Sequence, residues 1–144
     1  MVTIDASVLV AAGSPGDPAR DDSLRFLRAV LRAGIAIHQP TLTLVEVSAS
    51  VARRSGDRRL AREAGLRLLQ MPGLGLHSLD VGSAAEAAGI ASQAMLRGAD
   101  AIYAATALRH GTTLITLDQE LLNRATGVVE SLTPAEWLQR STDA

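Results

Sequence analysis

Two short apolar runs stand far apart in this chain and end alike. Val-Thr-Ile leads into Asp5, and Thr-Leu-Ile-Thr-Leu leads into Asp118. Runs this short and this continuous suit strands buried on both faces of a parallel sheet. The strand candidates in chain order are Val2–Asp5, Ile35–His38, Leu76–Leu79, Thr112–Thr116 and Val128–Glu130. Helical patterns alternate with them over Val8–Ala12, Pro18–Ala33, Thr41–Arg54, Arg58–Gln70, Ala84–Leu96, Ala101–His110, Gln119–Arg124 and Ala135–Arg140. In the second of these, Leu24, Leu27 and Leu31 recur at helical spacing beside Phe26 and Val30, and Gly34 follows as a C-cap. Ser83-Ala-Ala-Glu86 reads as a capping box opening the fifth. Such alternation predicts an α/β fold on a central parallel sheet. No repeat, low-complexity tract or linker divides the chain, so residues 1–144 are expected to form one domain.

Ligands of open parallel sheets bind beyond the carboxyl ends of the strands. Asp5 and Asp118 both stand there. Two more acids sit in apolar surroundings: Glu46 within Thr-Leu-Thr-Leu-Val-Glu46-Val, and Asp100 at a helix start after Arg97-Gly98-Ala99. Gathering carboxylates at such places is costly unless a cation joins them, and hard oxygen ligands suit a divalent metal. Each acid also has a plainer explanation. Asp5, Asp100 and Asp118 suit N-caps, Thr43 and Glu46 suit a capping box, and Ser7 suits capping beside Asp5 or a bond to a metal-bound water. Three Asp caps at sheet-edge junctions would be an uncommon coincidence, because Ser, Thr and Asn cap about as well. Glu120, two residues beyond Asp118, is within reach of a metal there. Among the other acids, Asp57 reads as a cap, and Glu63 and Glu136 as solvated faces.

Composition excludes several chemistries. The chain has no cysteine, so disulfides, thiolate metal sites and cysteine nucleophiles are out. All fourteen basic residues are Arg, which removes a Walker lysine and a Schiff base. His38, His77 and His110 are far apart in sequence without metal-ligand spacing, so they are expected to be structural. Gly73-Leu-Gly75 lacks the third glycine of a dinucleotide fingerprint. The net charge is −1, yet setting aside the four candidate acids leaves eleven acids against fourteen arginines. Positive charge concentrates in residues 53–67, where Arg53, Arg54, Arg58, Arg59, Arg62 and Arg67 face only Asp57 and Glu63. That stretch is either a solvated face or a nucleic-acid or partner strip. No apolar run reaches the ~18 residues of a membrane span, and a cytoplasmic protein is expected.

Four motifs in order, Val-Thr-Ile-Asp5-Ala-Ser7-Val-Leu, Leu-Val-Glu46-Val, Gly98-Ala-Asp100-Ala-Ile-Tyr-Ala-Ala-Thr-Ala and Leu-Ile-Thr116-Leu-Asp118-Gln-Glu-Leu, resemble those of PIN-domain proteins, and within them the VapC-type toxins. The resemblance runs nearly the full length. It implies a three-layer α/β/α fold with a five-stranded parallel sheet in the order 3-2-1-4-5. It also implies an acidic pocket of Asp5, Glu46, Asp100 and Asp118 that binds Mg²⁺ or Mn²⁺, supported by the hydroxyls of Ser7 and Thr116. The implied activity is endonucleolytic cleavage of single-stranded RNA by metal-activated water, leaving 5′-phosphate and 3′-hydroxyl ends. The implied partners are a small antitoxin, whose C-terminal segment enters the pocket, and a second copy of the chain in a homodimer. Arg53, Arg54, Arg58 and Arg59 are the candidate contacts for RNA or partner. Two other functions stay open: a housekeeping PIN nuclease in rRNA or tRNA processing, and a non-catalytic PIN binding scaffold. Scaffold members usually lose one or more of the acids, and this chain keeps all four.

Overall fold

The computed structural model describes residues 1–142. Strands β1 (Val2–Ile4), β2 (Ile37–Pro40), β3 (Leu74–His77), β4 (Thr113–Ile115) and β5 (Ser131–Leu132) form one parallel sheet in the order β3-β2-β1-β4-β5. The helices are α1 (Ala6–Gly13), α2 (Arg20–Arg32), α3 (Leu42–Ser55), α4 (Arg58–Arg67), α5 (Val81–Ala94), α6 (Gly98–His110), α7 (Gln119–Arg124) and α8 (Pro134–Thr142). A 3-10 turn, Leu68–Gln70, extends α4.

β1 is the middle strand, and all three of its residues are buried. Val2, Ile4, Ile37, Ile115 and Leu132 share one core with Phe26 and Val30 of α2, backed by Trp137 of α8. Phe26 and Trp137 meet edge to face, with ring centroids 5.0 Å apart. Leu114 belongs to the opposite core, with Val47, Ile90 and the small residues Ala101, Ala104 and Ala107 of α6. This split follows the two-residue period of a strand. The alanine face lets α6 lie close against β1, β2 and β4. Since the chain winds from β1 out to β3 and then returns to β4, the switch point of the sheet falls between β1 and β4.

Several boundaries differ from the sequence expectation. The last strand is Ser131–Leu132, not Val128–Glu130, because the amides of Val128 and Val129 both turn back onto the Ala125 carbonyl after α7. β2 starts two residues later than expected and includes Pro40, whose missing N–H is harmless at a strand end. β3 is likewise shifted, to Leu74–His77. Ser83 does not cap α5. Asp80 does, accepting from the Ser83 amide at 2.7 Å and its hydroxyl at 2.8 Å, so the helix starts at Val81. Glu136 is no passive surface acid, for it completes a capping box with Thr133 at α8. The Thr43–Glu46 box does not form, since both residues lie inside α3.

Candidate active site

Asp5 follows β1 directly, and its amide bonds to the Ile115 carbonyl of β4 at 2.8 Å, which fixes it at the switch point. It stands at the N-cap position of α1, yet its side chain makes no capping bond. Its Oδ2 accepts instead from Thr116 Oγ1 at 2.9 Å and from Ser7 Oγ. Each hydroxyl is held from behind: Ser7 Oγ accepts from the Leu117 amide at 3.1 Å, and Thr116 Oγ1 from the Asp118 amide at 3.0 Å. Two N–H to hydroxyl to carboxylate relays therefore lock the Asp5 rotamer and join the end of β1 to the loop after β4.

Glu46 comes from α3, Asp100 from the first turn of α6 and Asp118 from the start of α7. Asp100 is the third residue of its helix, not its cap, which is Arg97. Asp118 is a true cap, its Oδ1 accepting from the Glu120 amide at 2.8 Å and the Leu121 amide at 3.2 Å. Its other oxygen, Oδ2, faces the site and accepts from Arg97.

The four carboxylates act on one another. Burial raises the Asp5 pKa, the Ser7 and Thr116 hydroxyls pull it back, and Asp118 pushes it up further. Burial also raises Glu46, helped by Asp5 and Asp100 and opposed by Tyr103 and Arg53. Asp100 is raised by burial and by Asp118 and Asp5, against the pull of Arg97. Asp118 goes the other way: burial lifts it, but the Leu121 and Glu120 amides and Arg97 outweigh that and lower it. Deep in the site, Glu46 Oε2 and the hydroxyls of Thr43 and Tyr103 are buried with no hydrogen-bond partner among the described residues. Tyr103 lies close enough to lower the Glu46 pKa, but no bond of good geometry forms. Burial and Glu46 raise the Tyr103 pKa, so its phenol stays protonated.

Arg97, which the sequence reading passed over, spans the rim. Its Nε donates to Asp100 Oδ2 at 2.9 Å and its Nη2 to Asp118 Oδ2, with Glu120 Oε2 at 3.9 Å. The three-residue spacing from Arg97 to Asp100 was the available signal. Glu120 also pairs with Arg124 at 2.9 Å, so it belongs to this rim network. Among the described residues no three of the acids bring oxygens within 4.8 Å of one another. Arg97 holds two of the acids at the rim.

A donor set of four carboxylates, one with a buried orphan oxygen, fits a hard divalent cation such as Mg²⁺ or Mn²⁺. The arginine strip is mixed. Arg54 pairs with Asp17 at 2.9 Å, and Arg59 with Glu63 at 2.9 Å. Arg53 lies near enough to Glu46 to lower its pKa. Arg58 and Arg62 make no ion pair among the described residues. The histidines, far apart in sequence, come together in the fold: His38, His77 and His110 form one stack, with ring centroids 3.9 to 5.2 Å apart. No helix among the described residues is long and apolar enough to cross a membrane.

The chain belongs to the PIN domain family, whose model matches residues 2–127. Solved structures share the fold at low identity. VapC20 of Mycobacterium tuberculosis, described as a Sarcin-Ricin loop cleaving toxin, is 20% identical with a TM-score of 0.72, covering 90% of this chain and 98% of its own. FitAcB of Neisseria gonorrhoeae is 23% identical with a TM-score of 0.71, over 94% of this chain and 99% of its own. A toxin-antitoxin complex from Klebsiella pneumoniae is 20% identical with a TM-score of 0.65, over 93% of this chain and 98% of its own. No functionally curated protein matches the chain.

Proposed function

We propose that the protein is a metal-dependent endoribonuclease that cuts single-stranded RNA and serves as the toxin of a toxin–antitoxin pair. The observation that carries this reading is the convergence of Asp5, Glu46, Asp100 and Asp118 from four separate elements on the β1–β4 switch point, with Asp5 locked by two hydroxyl relays. Membership of the PIN family and likeness to a cleaving toxin and a toxin-antitoxin complex support it.

Asp5, Glu46, Asp100 and Asp118 would hold one or two Mg²⁺ or Mn²⁺ ions. Bound there, a divalent cation supplies a Lewis acid that activates water and stabilises the anionic transition state of phosphodiester hydrolysis. Ser7 and Thr116 keep Asp5 in its ligating rotamer, as outer partners of metal ligands do. Glu46, whose pKa burial raises, would either ligate the metal or orient the attacking water. Arg97, paired with Asp100 and Asp118, would reach a substrate phosphate when those carboxylates hold a metal. Arg53 and Arg58 are the arginines best placed to contact the RNA backbone. An antitoxin arginine would compete with Arg97 for the same two carboxylates, and the chain would act as a homodimer in the cytoplasm. The test is cleavage of a labelled single-stranded RNA with Mg²⁺ or Mn²⁺, followed by inhibition with the product of any small gene adjacent to this one. RNA left intact would reject the nuclease, while cleavage that no neighbouring product inhibits would reject only the toxin role.

A further inference from the structure

His38 lies on β2 and His77 ends β3. In the parallel register His38 pairs with Gly75, so His77, two residues on, projects from the same face. Gly75 puts no side chain between them: a Cβ built there would lie 3.6 Å from His77 Nε2 and 3.9 Å from His38 Nδ1. Those two nitrogens meet at 3.0 Å. His110, the last residue of α6, closes over both rings, its centroid 3.9 Å from that of His77 and 4.6 Å from that of His38. Each of the three offers a ring nitrogen within 4.8 Å of the others, and all three are half-buried.

We infer that this cluster is a second metal site, which takes one Zn²⁺ ion or another borderline transition-metal cation through three imidazoles. Tetrahedral zinc with bonds of ~2.0–2.1 Å sets its nitrogens ~3.3 Å apart. The His38–His77 pair already stands close to that spacing, and rotation of the His110 ring brings in the third ligand. Imidazole ligates as the neutral base; burial, then His38 and Arg109, lower the His77 pKa, and burial, then His77, His38 and Arg109, lower that of His110. The last turn of α6 ends at His110, and its carbonyl dipoles favour a cation there. Arg109, beside the cluster, pairs with Glu86 through contacts of 2.8 and 3.0 Å, which offsets its charge in part. The pocket beside His77 and His110 is lined by Ser83, Glu86 and Arg109. The bound ion staples β2 and β3 to the far end of α6.

The site is separate from the carboxylates. Asp100 and His110 stand ten residues apart on one helix, or about 15 Å along its axis. The donors also differ in kind: hard cations such as Mg²⁺ choose carboxylate oxygen, and borderline cations choose imidazole.

The chain has only three histidines, so the imidazole region of a proton NMR spectrum reads each directly. Untagged protein in excess Mg²⁺ is titrated with Zn²⁺. All three imidazoles should shift together and saturate at one equivalent. In competition with a chromophoric chelator, His110→Ala should bind Zn²⁺ at least about tenfold more weakly, and Asp5→Asn should match the wild type. Imidazoles that do not move at one equivalent would overturn the inference on the wild type alone, whether or not the variants fold. Equal zinc affinity in His110→Ala, or loss confined to Asp5→Asn, would also overturn it.

Discussion

The two ends of α6 carry opposite chemistry. Asp100, in its first turn, faces three other carboxylates and an arginine, whereas His110, in its last, stacks on two other imidazole rings. At the first end like charges repel, and hydrogen-bond donors organise them: Ser7 and Thr116 hold Asp5, and Arg97 holds Asp100 and Asp118. At the second, the rings pack directly on one another. One helix with an alanine face positions both ends, because it lies close on the sheet along its length.

The contrast is sharpest in activity. Glu46→Gln should slow RNA cleavage by about a hundredfold or more, since even outer partners of metal sites are worth 10–100-fold, whereas His110→Ala should leave the rate within about twofold. A large loss in His110→Ala, with the fold checked by circular dichroism, would break the separation of the two ends. Next comes the relay. Thr116→Ala should cost about 10–100-fold in cleavage or Mg²⁺ affinity, and Thr116→Ser should restore most of it. Failure of serine to rescue would mean that the hydroxyl is not what matters.

Smaller effects read the repulsion among the carboxylates. Burial holds the Asp100 carboxyl above its ordinary value of 3.8 in the folded chain. Between the unfolded and the raised folded value the folded state binds more protons, so stability falls as pH rises through that window. Asp100→Asn removes this penalty. In EDTA the wild type should therefore lose melting temperature relative to the mutant as pH rises from about 4 toward 7. The histidines cancel in the difference, being common to both proteins. A difference that stays flat would place Asp100 outside the repelling cluster. The smallest effect concerns the arginine strip. Arg58→Ala should lower the salt slope of RNA binding by about one counterion. Arg59→Ala should change it less, because Arg59 is engaged with Glu63. Equal changes would mean that the Arg59–Glu63 pair opens on binding.

The acidic end was legible in the sequence and the histidine end was not, for a physical reason. Asp5 and Asp118 terminate apolar strands, so the rule that ligands bind at strand carboxyl ends locates them before any pairing is known. The sheet order β3-β2-β1-β4-β5 followed from the family resemblance of the motifs around them. His38, His77 and His110 come together only through the β2–β3 register and the length of α6, neither of which local spacing encodes. Arg97 was missed because an arginine before a helix reads as solvent-facing, yet its extended backbone turns the side chain over the site. The last strand was misplaced because Val128 and Val129 are apolar for packing from a turn, not for strand pairing. Capping acids misled in both directions. Asp118 does cap and still faces the site, whereas Asp5 occupies a cap position without capping.

The most direct test of the carboxylate site is cleavage of a 5′-labelled single-stranded RNA by wild type and Asp5→Asn at equal concentration, each with Mg²⁺ and with EDTA. The wild type should cut in Mg²⁺ and leave 5′-phosphate ends, and both EDTA and Asp5→Asn should slow it by at least about a hundredfold. Cleavage at the wild-type rate in EDTA, or by folded Asp5→Asn in Mg²⁺, would contradict the account.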